Sequence, residues 1–106
     1  MFGNANYKQI DADFPGLTEA YLIDIRSNGE VRGGGIAGAV HIEMHLLPLR
    51  AADIPKDKPV VLYCHSGARS AQACTYLAQQ GFDNMHNLSG GILAWARAGK
   101  PIVAIL

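Results

Sequence analysis

The residues best suited to chemistry lie together in one short segment, from Cys64 to Ser70. An apolar run over residues 59–64 predicts a buried strand that ends at Cys64, and a helix is predicted to begin a few residues later. In open α/β sheets, ligand sites lie at the carboxyl ends of strands, where the following helices start. Gly67 permits a tight turn there, so that successive backbone N–H groups can point inward at the Cys64 thiol. The segment therefore predicts a cradle for an anion.

Cys64 and Arg69 are the side chains of this segment whose chemistry fits such a cradle. The thiolate is the nucleophilic form of cysteine, and its pKa, about 8.5 when unperturbed, falls to roughly 3.5–7.5 at helix N-termini or beside cations. Arg69 is a permanent cation whose planar guanidinium suits an oxyanion such as a sulfonate or a phosphate. A lone cysteine at a strand end is most often an inert core residue. The strand end, glycine loop, arginine and helix start together favour Cys64 as an activated nucleophile and Arg69 as an anion anchor.

The rest of the sequence predicts the elements that must position this segment. Short apolar runs without strict alternation are typical of strands that are covered on both faces. Predicted strands cover residues 7–10, 20–25, 39–42, 59–64 and 85–88. Predicted helices cover residues 46–53, 68–80 and 92–98. The alternation of strands and helices predicts an α/β fold, with a central parallel sheet of about five strands flanked by helices, in a single domain over residues 1–106.

Composition excludes several classes of function. The 106 residues are 49% hydrophobic, and nine Lys and Arg balance nine Asp and Glu. Without a basic excess we expect no nucleic-acid partner and no membrane-binding patch. The apolar runs are too short to cross a bilayer and residues 1–6 lack the features of a signal peptide, so we expect a cytoplasmic protein. The two cysteines, Cys64 and Cys74, are too few for a disulfide framework, and without close-spaced ligand pairs they do not predict a zinc site. We expect no cofactor.

Three motifs give the chain a resemblance to a known family. They are residues 22–26 (LIDIR) followed by Glu30 and Gly34, residues 64–70 (CHSGARS), and residues 90–95 (GGILAW) followed by residues 98–101 (AGKP). In this order they resemble the rhodanese family of sulfurtransferases, over roughly residues 7–103. One departure is Gly35, which stands where the family usually has a histidine. We expect the glycines at residues 33–35 to make this connection mobile.

The resemblance implies a rhodanese-like fold and persulfide chemistry. Cys64 would attack the outer sulfur of thiosulfate or a related persulfide donor and keep that sulfur as a covalent persulfide. A second small molecule (cyanide or a thiol) or a sulfur-carrier protein would then accept the sulfur. The backbone amides of one loop would hold the anionic terminal sulfur, and its residues are His65, Ser66, Gly67, Ala68, Arg69 and Ser70. The chain would then be a thiosulfate sulfurtransferase.

Two alternatives share the same cysteine. A persulfide carrier or sensor would hold sulfur on Cys64 and pass it to a partner without efficient turnover. A cysteine-dependent phosphatase or arsenate reductase is the other alternative, but the related phosphatases separate their cysteine and arginine by five residues. Here four residues, 65–68, separate Cys64 from Arg69. A phosphoryl group is larger than one sulfur atom, so the shorter loop favours sulfur.

Residues near the loop are interpreted mainly as structural. We predict that the Asp24 carboxylate accepts hydrogen bonds from the backbone or from Arg26, and that Arg26 forms an ion pair with Glu30. Ser70 is predicted to lie in the first turn of a helix and to satisfy backbone amides there. Cys74 should lie about two turns beyond the loop on the same helix, too far from the loop cysteine for a disulfide. We therefore predict that it packs in the core.

Overall fold

The computed structural model describes residues 6–106; residues 1–5, which carry most of the expectation about a signal peptide, lie outside the described part. Its strands are β1 (Lys8–Ile10), β2 (Tyr21–Asp24), β3 (Val40–His41), β4 (Val60–Tyr63) and β5 (Met85–Leu88). They form one sheet in the order β1-β5-β4-β2-β3, and every neighbouring pair is parallel. The five predicted strands are thus confirmed, with ends that agree within one residue.

The helices are α1 (Asn28–Val31), α2 (Leu47–Arg50), α3 (Ala68–Gln79) and α4 (Gly91–Arg97), together with single 3₁₀ turns at Leu17–Glu19, Met44–Leu46 and Ala51–Asp53. The predicted helices over residues 68–80 and 92–98 are confirmed as α3 and α4. The single helix predicted over residues 46–53 is wrong, because α2 is one short helix between two 3₁₀ turns. Pro48 lacks an N–H and is tolerated only in the first helical turn, so it starts a new helix instead of continuing one.

The short helix α1 is absent from the predicted elements, although its start has a recognisable sequence signal. The Ser27 hydroxyl accepts a hydrogen bond from the N–H of Glu30 at 3.3 Å, and the Glu30 carboxylate accepts one from the N–H of Ser27 at 3.0 Å. This reciprocal arrangement is a capping box, which satisfies two N–H groups that a helix start would otherwise leave unpaired. It also fixes the Glu30 side chain at the start of the helix.

The core lies on both faces of the sheet, and β4 in its middle is buried throughout. Val60 and Leu62 pack into a cluster with Cys74 and Leu77 of α3, whereas Val61 and Tyr63 pack into a second cluster with Ile92 and Trp95 of α4. Each fully buried Val or Leu contributes about 1.5–3 kcal/mol relative to exposure. This two-sided burial fixes the position at which β4 ends and the following loop begins. Within residues 6–106, no helix is long and apolar enough to cross a membrane.

Candidate active site

The loop between β4 and α3 begins at Cys64 and turns at Gly67. Gly67 has a φ of +98°, in the left-handed region that favours glycine. A Cβ at this position would lie 3.0 Å from the amide nitrogen of Gly90 and 3.4 Å from the carbonyl oxygen of Leu88. Any other side chain here would therefore be strained and would crowd the backbone after β5, which explains why a glycine stands in the middle of the loop.

Several hydrogen-bond donors of the loop converge on the sulfur of Cys64. The N–H of Gly67 lies 3.1 Å from Sγ, and both the N–H and the hydroxyl of Ser70 lie 3.4 Å from it. Burial raises the pKa of the Cys64 thiol, but the Ser70 hydroxyl and the amides of Ser70, Gly67 and Ser66 together bring that pKa below its ordinary value. Cys64 is 1% exposed, so the sulfur lies inside the cradle that its spacing predicted.

The start of α4 holds the other side of the same loop. The N–H of Ile92 donates to the carbonyl oxygen of Cys64 at 2.9 Å, and the N–H of Leu93 donates to that of His65 at 3.1 Å. This approach requires Gly91, whose φ is +59° and where a Cβ would lie 2.5 Å from each of these two oxygens. The paired glycines before α4 thus let a helix start pack directly against the loop. The carbonyls of Cys64 and His65 thus point toward α4, whereas the amides of Gly67 and Ser70 point toward the sulfur.

Arg69 does not stand free beside the loop, because Glu30 from α1 holds it. The Arg69 Nη1 and Nη2 groups donate to Glu30 Oε1 and Oε2 at 2.9 and 2.8 Å. Hydrogen bonding to Arg69 is the largest cause that lowers the pKa of Glu30, to about 2, and the Ser27 donors add to it against a smaller opposing effect of burial. The predicted ion pair between Arg26 and Glu30 is therefore wrong: the Glu30 carboxylate faces Arg69 instead.

Arg26 lies in the buried segment that follows β2 and pairs with Asp24, the last residue of that strand. Its Nη2 donates to Asp24 Oδ2 at 2.6 Å and to the carbonyl oxygen of Gly34 at 2.7 Å. The backbone N–H of Arg26 donates to Asp24 Oδ1 at 3.0 Å, so the contacts predicted for Asp24 are confirmed. Burial lowers the pKa of Arg26, but the hydrogen bond and charge of Asp24 outweigh it, and the pKa is raised. None of the hydrogen bonds of this pair goes to Cys64; those of Arg26 to the carbonyl oxygens of Glu30 and Gly34 support α1 and the glycines that follow it.

Neighbouring residues fill the space around Gly35. Its N–H donates to the carbonyl oxygen of Val103 at 2.7 Å, and the N–H of Val103 donates back at 2.9 Å. A Cβ on Gly35 would lie 2.8 Å from Cδ1 of Ile105 and 2.9 Å from the hydroxyl oxygen of Tyr63. The C-terminal segment therefore packs where the resemblance led us to expect a histidine. Gly34 and Gly35 are buried and hydrogen-bonded, whereas Gly33 is exposed, so the mobility expected for residues 33–35 stays a prediction that these contacts do not favour.

The comparison with known proteins assigns the family. A scan against protein families matches the rhodanese-like domain over residues 6–98. The chain belongs to the rhodanese-like domain family. A sulfurtransferase from Allochromatium vinosum is 56% identical to it over 86 residues, which cover 81% of this chain and 80% of that protein. The thiosulfate sulfurtransferase GlpE from Shewanella oneidensis is 35% identical over 85 residues, which cover 77% of this chain and 84% of that protein.

Solved structures agree with this assignment. The crystal structure of a rhodanese-related protein from Thermoplasma volcanium has a TM-score of 0.84 and 33% identity, and the match covers 93% of this chain and 100% of that chain. The predicted rhodanese-like α/β fold is thus confirmed.

Sequence reasoning missed one polar residue beneath the loop of this rhodanese-like domain. Asn87, on the buried strand β5, accepts a hydrogen bond from the Ser70 hydroxyl at 2.5 Å and donates to the carbonyl oxygen of Gly67 at 3.2 Å. The predicted role of Ser70 is wrong in part. It lies in the first turn of α3, but its hydroxyl faces three acceptors, on Asn87, Gly67 and Cys64, and caps no backbone amide. The available signal was an amide side chain inside a segment that was predicted to be a strand.

The second cysteine lies apart from this site. Cys74 of α3 is fully buried in the core cluster on its face of the sheet, and burial raises the pKa of its thiol to about 12. Both cysteines are free thiols. The predicted core packing of Cys74 is confirmed, and the thiol stays protonated and shielded. Within residues 6–106, no three His, Cys, Asp or Glu side chains lie close enough together to hold a metal ion.

Proposed function

We propose that this rhodanese-like chain is a sulfurtransferase that moves sulfane sulfur through a persulfide on Cys64. The observation that carries the proposal is the convergence of Gly67 and Ser70 donors on Cys64 Sγ. Hydrogen bonds to the charged form favour the thiolate, which is the nucleophile that the reaction requires. The names of two relatives, a sulfurtransferase and a thiosulfate sulfurtransferase, support the same class of reaction.

The reaction has two half-reactions. In the first, an electron pair of the Cys64 thiolate forms a bond to the outer sulfur of the donor, and the donor's S–S bond breaks with its electron pair leaving on sulfite or on a thiolate. Cys64 then carries a persulfide whose terminal sulfur is anionic. In the second, the acceptor's electron pair attacks that terminal sulfur, and the bond between the two sulfurs breaks to return the Cys64 thiolate. This sequence is nucleophilic catalysis through a covalent intermediate, with ping-pong kinetics expected.

The loop provides the binding groups for both states. The amides of residues 65–70 hold the terminal sulfur, and the start of the twelve-residue helix α3 adds partial positive charge. We assign Arg69 to the anchoring of an anionic donor such as thiosulfate at the edge of the loop. Its Nη1 and Nη2 groups each use one hydrogen on Glu30, which leaves its remaining N–H donors for the anion. Four residues between Cys64 and Arg69 suit one added sulfur atom better than a phosphoryl group.

The outer side of the loop faces solvent, and the sulfur of Cys64 lies beneath it at 1% exposure. His65, Ser66 and Ala68 are exposed, so a cysteine of another protein has access to the loop as well as cyanide or a small thiol. This exposure is the observation that favours a persulfide carrier as the second candidate function. The two candidates differ in turnover: the enzyme releases sulfur repeatedly to a small acceptor, whereas the carrier does so only to its partner.

Thiocyanate formation from thiosulfate and cyanide tests the proposal. The wild-type chain and Cys74→Ser should both turn over, since Cys74 lies in the core away from the loop, and Cys64→Ser should be inactive. Cys74→Ser is the matched control because it removes the other thiol of the chain by the same substitution. Turnover that survives in Cys64→Ser would refute the assignment of the nucleophile. Stoichiometric loading of Cys64 without turnover, on thiosulfate and on glutathione persulfide alike, would favour the carrier.

A further inference from the structure

The hydroxyl of Ser70 has one proton and three acceptors within reach. Its Oγ lies 2.5 Å from Oδ1 of Asn87, 3.3 Å from the carbonyl oxygen of Gly67 and 3.4 Å from Sγ of Cys64. Ser70 is fully buried and Asn87 is 2% exposed, so bulk water does not compete for these groups. Because a hydroxyl donates one hydrogen bond at a time, these acceptors compete for it. With a neutral sulfur, the closest acceptor, Oδ1 of Asn87, accepts the hydrogen bond of the hydroxyl.

The amide of Asn87 is held in the orientation that this competition requires. Its Nδ2 group donates to Oε1 of Gln9 at 3.0 Å and to the carbonyl oxygen of Gly67 at 3.2 Å. The reversed amide would place its oxygen against these two acceptors and its N–H groups against the Ser70 hydroxyl. Gln9 is itself held, since its Oε1 also accepts from the Ser89 hydroxyl at 2.8 Å. The carbonyl oxygen of Gly67 can only accept, so it determines which atom of Asn87 faces the Ser70 hydroxyl, and Gln9 of the edge strand β1 adds a second acceptor.

Charge on Cys64 changes which acceptor wins. A hydrogen bond to an ionised acceptor is roughly twice as strong as one between neutral groups. A thiolate at Cys64 therefore draws the Ser70 hydroxyl from Asn87 to Sγ, and a neutral sulfur releases it again. The hydroxyl only rotates in this exchange, because its proton stays on Oγ.

We propose that Asn87 is a positioning residue for the Ser70 hydroxyl, which it holds whenever Cys64 Sγ is uncharged and yields whenever Sγ is a thiolate. The functional part of this inference rests on the proposed sulfur transfer. When the first half-reaction forms the S–S bond, Sγ becomes neutral and the hydroxyl turns to Asn87. When the acceptor attacks the terminal sulfur, Sγ takes the electron pair of the breaking bond and the hydroxyl turns back to it. The Ser70 hydroxyl therefore stabilises Cys64 as a leaving group in the second half-reaction, and it does not oppose formation of the persulfide in the first.

The test is the pH dependence of Cys64 alkylation by iodoacetamide, measured on the whole chain without any sulfur donor. Asn87→Leu removes the competing acceptor and keeps the branching and the number of side-chain heavy atoms, so the hydroxyl of Ser70 shifts toward Sγ. Loss of one neutral hydrogen bond in the thiol state should raise the acid dissociation constant of Cys64 about fivefold. Ser70→Ala should lower that constant about tenfold or more, because a hydrogen bond to the charged sulfur is lost.

The decisive comparison is Asn87→Leu in the Ser70→Ala background, where it should leave the dissociation constant of Cys64 unchanged. An equal change of the dissociation constant in both backgrounds would show that Asn87 only supports the loop. No change in the wild-type background would show that Asn87 does not compete for the hydroxyl. Either result overturns the proposal. If Asn87→Leu does not fold, Asn87→Asp keeps the oxygen and adds charge. Its decrease in the dissociation constant should then be larger with Ser70 present than with alanine there, and equal decreases would refute the proposal.

The surrounding charges are the same in Asn87→Leu and Ser70→Ala, and Asn87→Asp alone adds one. Arg69 is paired with Glu30 from α1, and Arg26 is paired with Asp24, the last residue of β2. His65 is the titratable side chain of the loop itself, and it is exposed. Because alkylation needs no donor, this test stands apart from the proposed function. A chain that shows the Ser70-dependent shift but forms no persulfide would disprove the sulfur transfer and leave the role of Asn87 intact.

Discussion

Replacing Glu30 with glutamine tests whether the ion pair between α1 and the loop stabilises the site. The substitution keeps the size of the side chain but removes the charge that Arg69 meets at 2.8 and 2.9 Å. A glutamine oxygen can still accept from the N–H of Ser27, so the cap of α1 is largely retained. The change therefore isolates the pairing with Arg69.

The size of the effect follows from the pKa of Glu30, which is lowered from 4.5 to about 2, chiefly by Arg69. A shift of that size corresponds to about 3 kcal/mol as an upper bound. The side chains of Arg69 and Glu30 are 41% and 34% exposed, so solvent screening reduces the expected loss to about 1 kcal/mol. Because the pKa is lower in the folded chain than in the unfolded one, this stability is present above pH 4.5 and is lost as the pH falls toward 2.

Urea unfolding of the wild type and Glu30→Gln at several pH values measures this directly. The free energy of unfolding should differ by about 1 kcal/mol at neutral pH, and the difference should shrink as the pH falls from 4.5 toward 2. Asp53→Asn is the matched control: it breaks the pair of Arg50 and Asp53, whose side chains are 44% and 60% exposed, and should cost less than about 0.5 kcal/mol. A Glu30→Gln difference that is absent, or that does not change with pH, would refute the reasoning.

Three further substitutions probe the loop and its supports. Gly91→Ala should lower the free energy of unfolding in urea by more than about 2 kcal/mol, since its Cβ would lie 2.5 Å from two loop carbonyls. Gly99→Ala is the control: Gly99 also has a positive φ, but nothing lies within 4 Å of its Cβ position, so the loss should be about 1 kcal/mol. Equal losses would contradict the packing argument. Gly35→Ala should cost about 1–3 kcal/mol through overpacking, whereas Gly29→Ala, with open space around it, should cost nothing. Arg69→Ala should raise the KM for thiosulfate about tenfold with a smaller effect on kcat, and an unchanged KM would remove Arg69 from donor binding.

The parts of the fold that the sequence predicts well are those set by local pattern. The strand β4 is apolar throughout and ends at Tyr63, directly before Cys64. The helix α3 has both a helical period and a terminating glycine, so the loop between them was predictable from consecutive residues. The prediction of a single helix over residues 46–53 was wrong because Pro48 lacks an N–H and starts the short helix α2 instead of continuing a longer one. The helix α1 spans only Asn28–Val31, too few residues for a periodic signal, and its capping box was the sole indication.

The parts of the site that were missed depend on contacts between distant residues. Glu30 and Arg69 are 39 positions apart, and nothing in the local sequence states that they meet; the nearer cation, Arg26, was the natural but wrong partner. Asn87 reaches Ser70 across 17 positions, because α3 and β5 pack against each other after the chain turns back. Motif spacing located the cysteine and its loop, whereas the partners that orient them required the three-dimensional structure.

Intact-protein mass spectrometry after brief incubation with thiosulfate or glutathione persulfide tests the central claim most directly. The account predicts a gain of one sulfur atom in the wild type and in Cys74→Ser, lost on reduction and absent in Cys64→Ser. An adduct that persists in Cys64→Ser, or no adduct on the wild type with either donor, would contradict persulfide chemistry at Cys64.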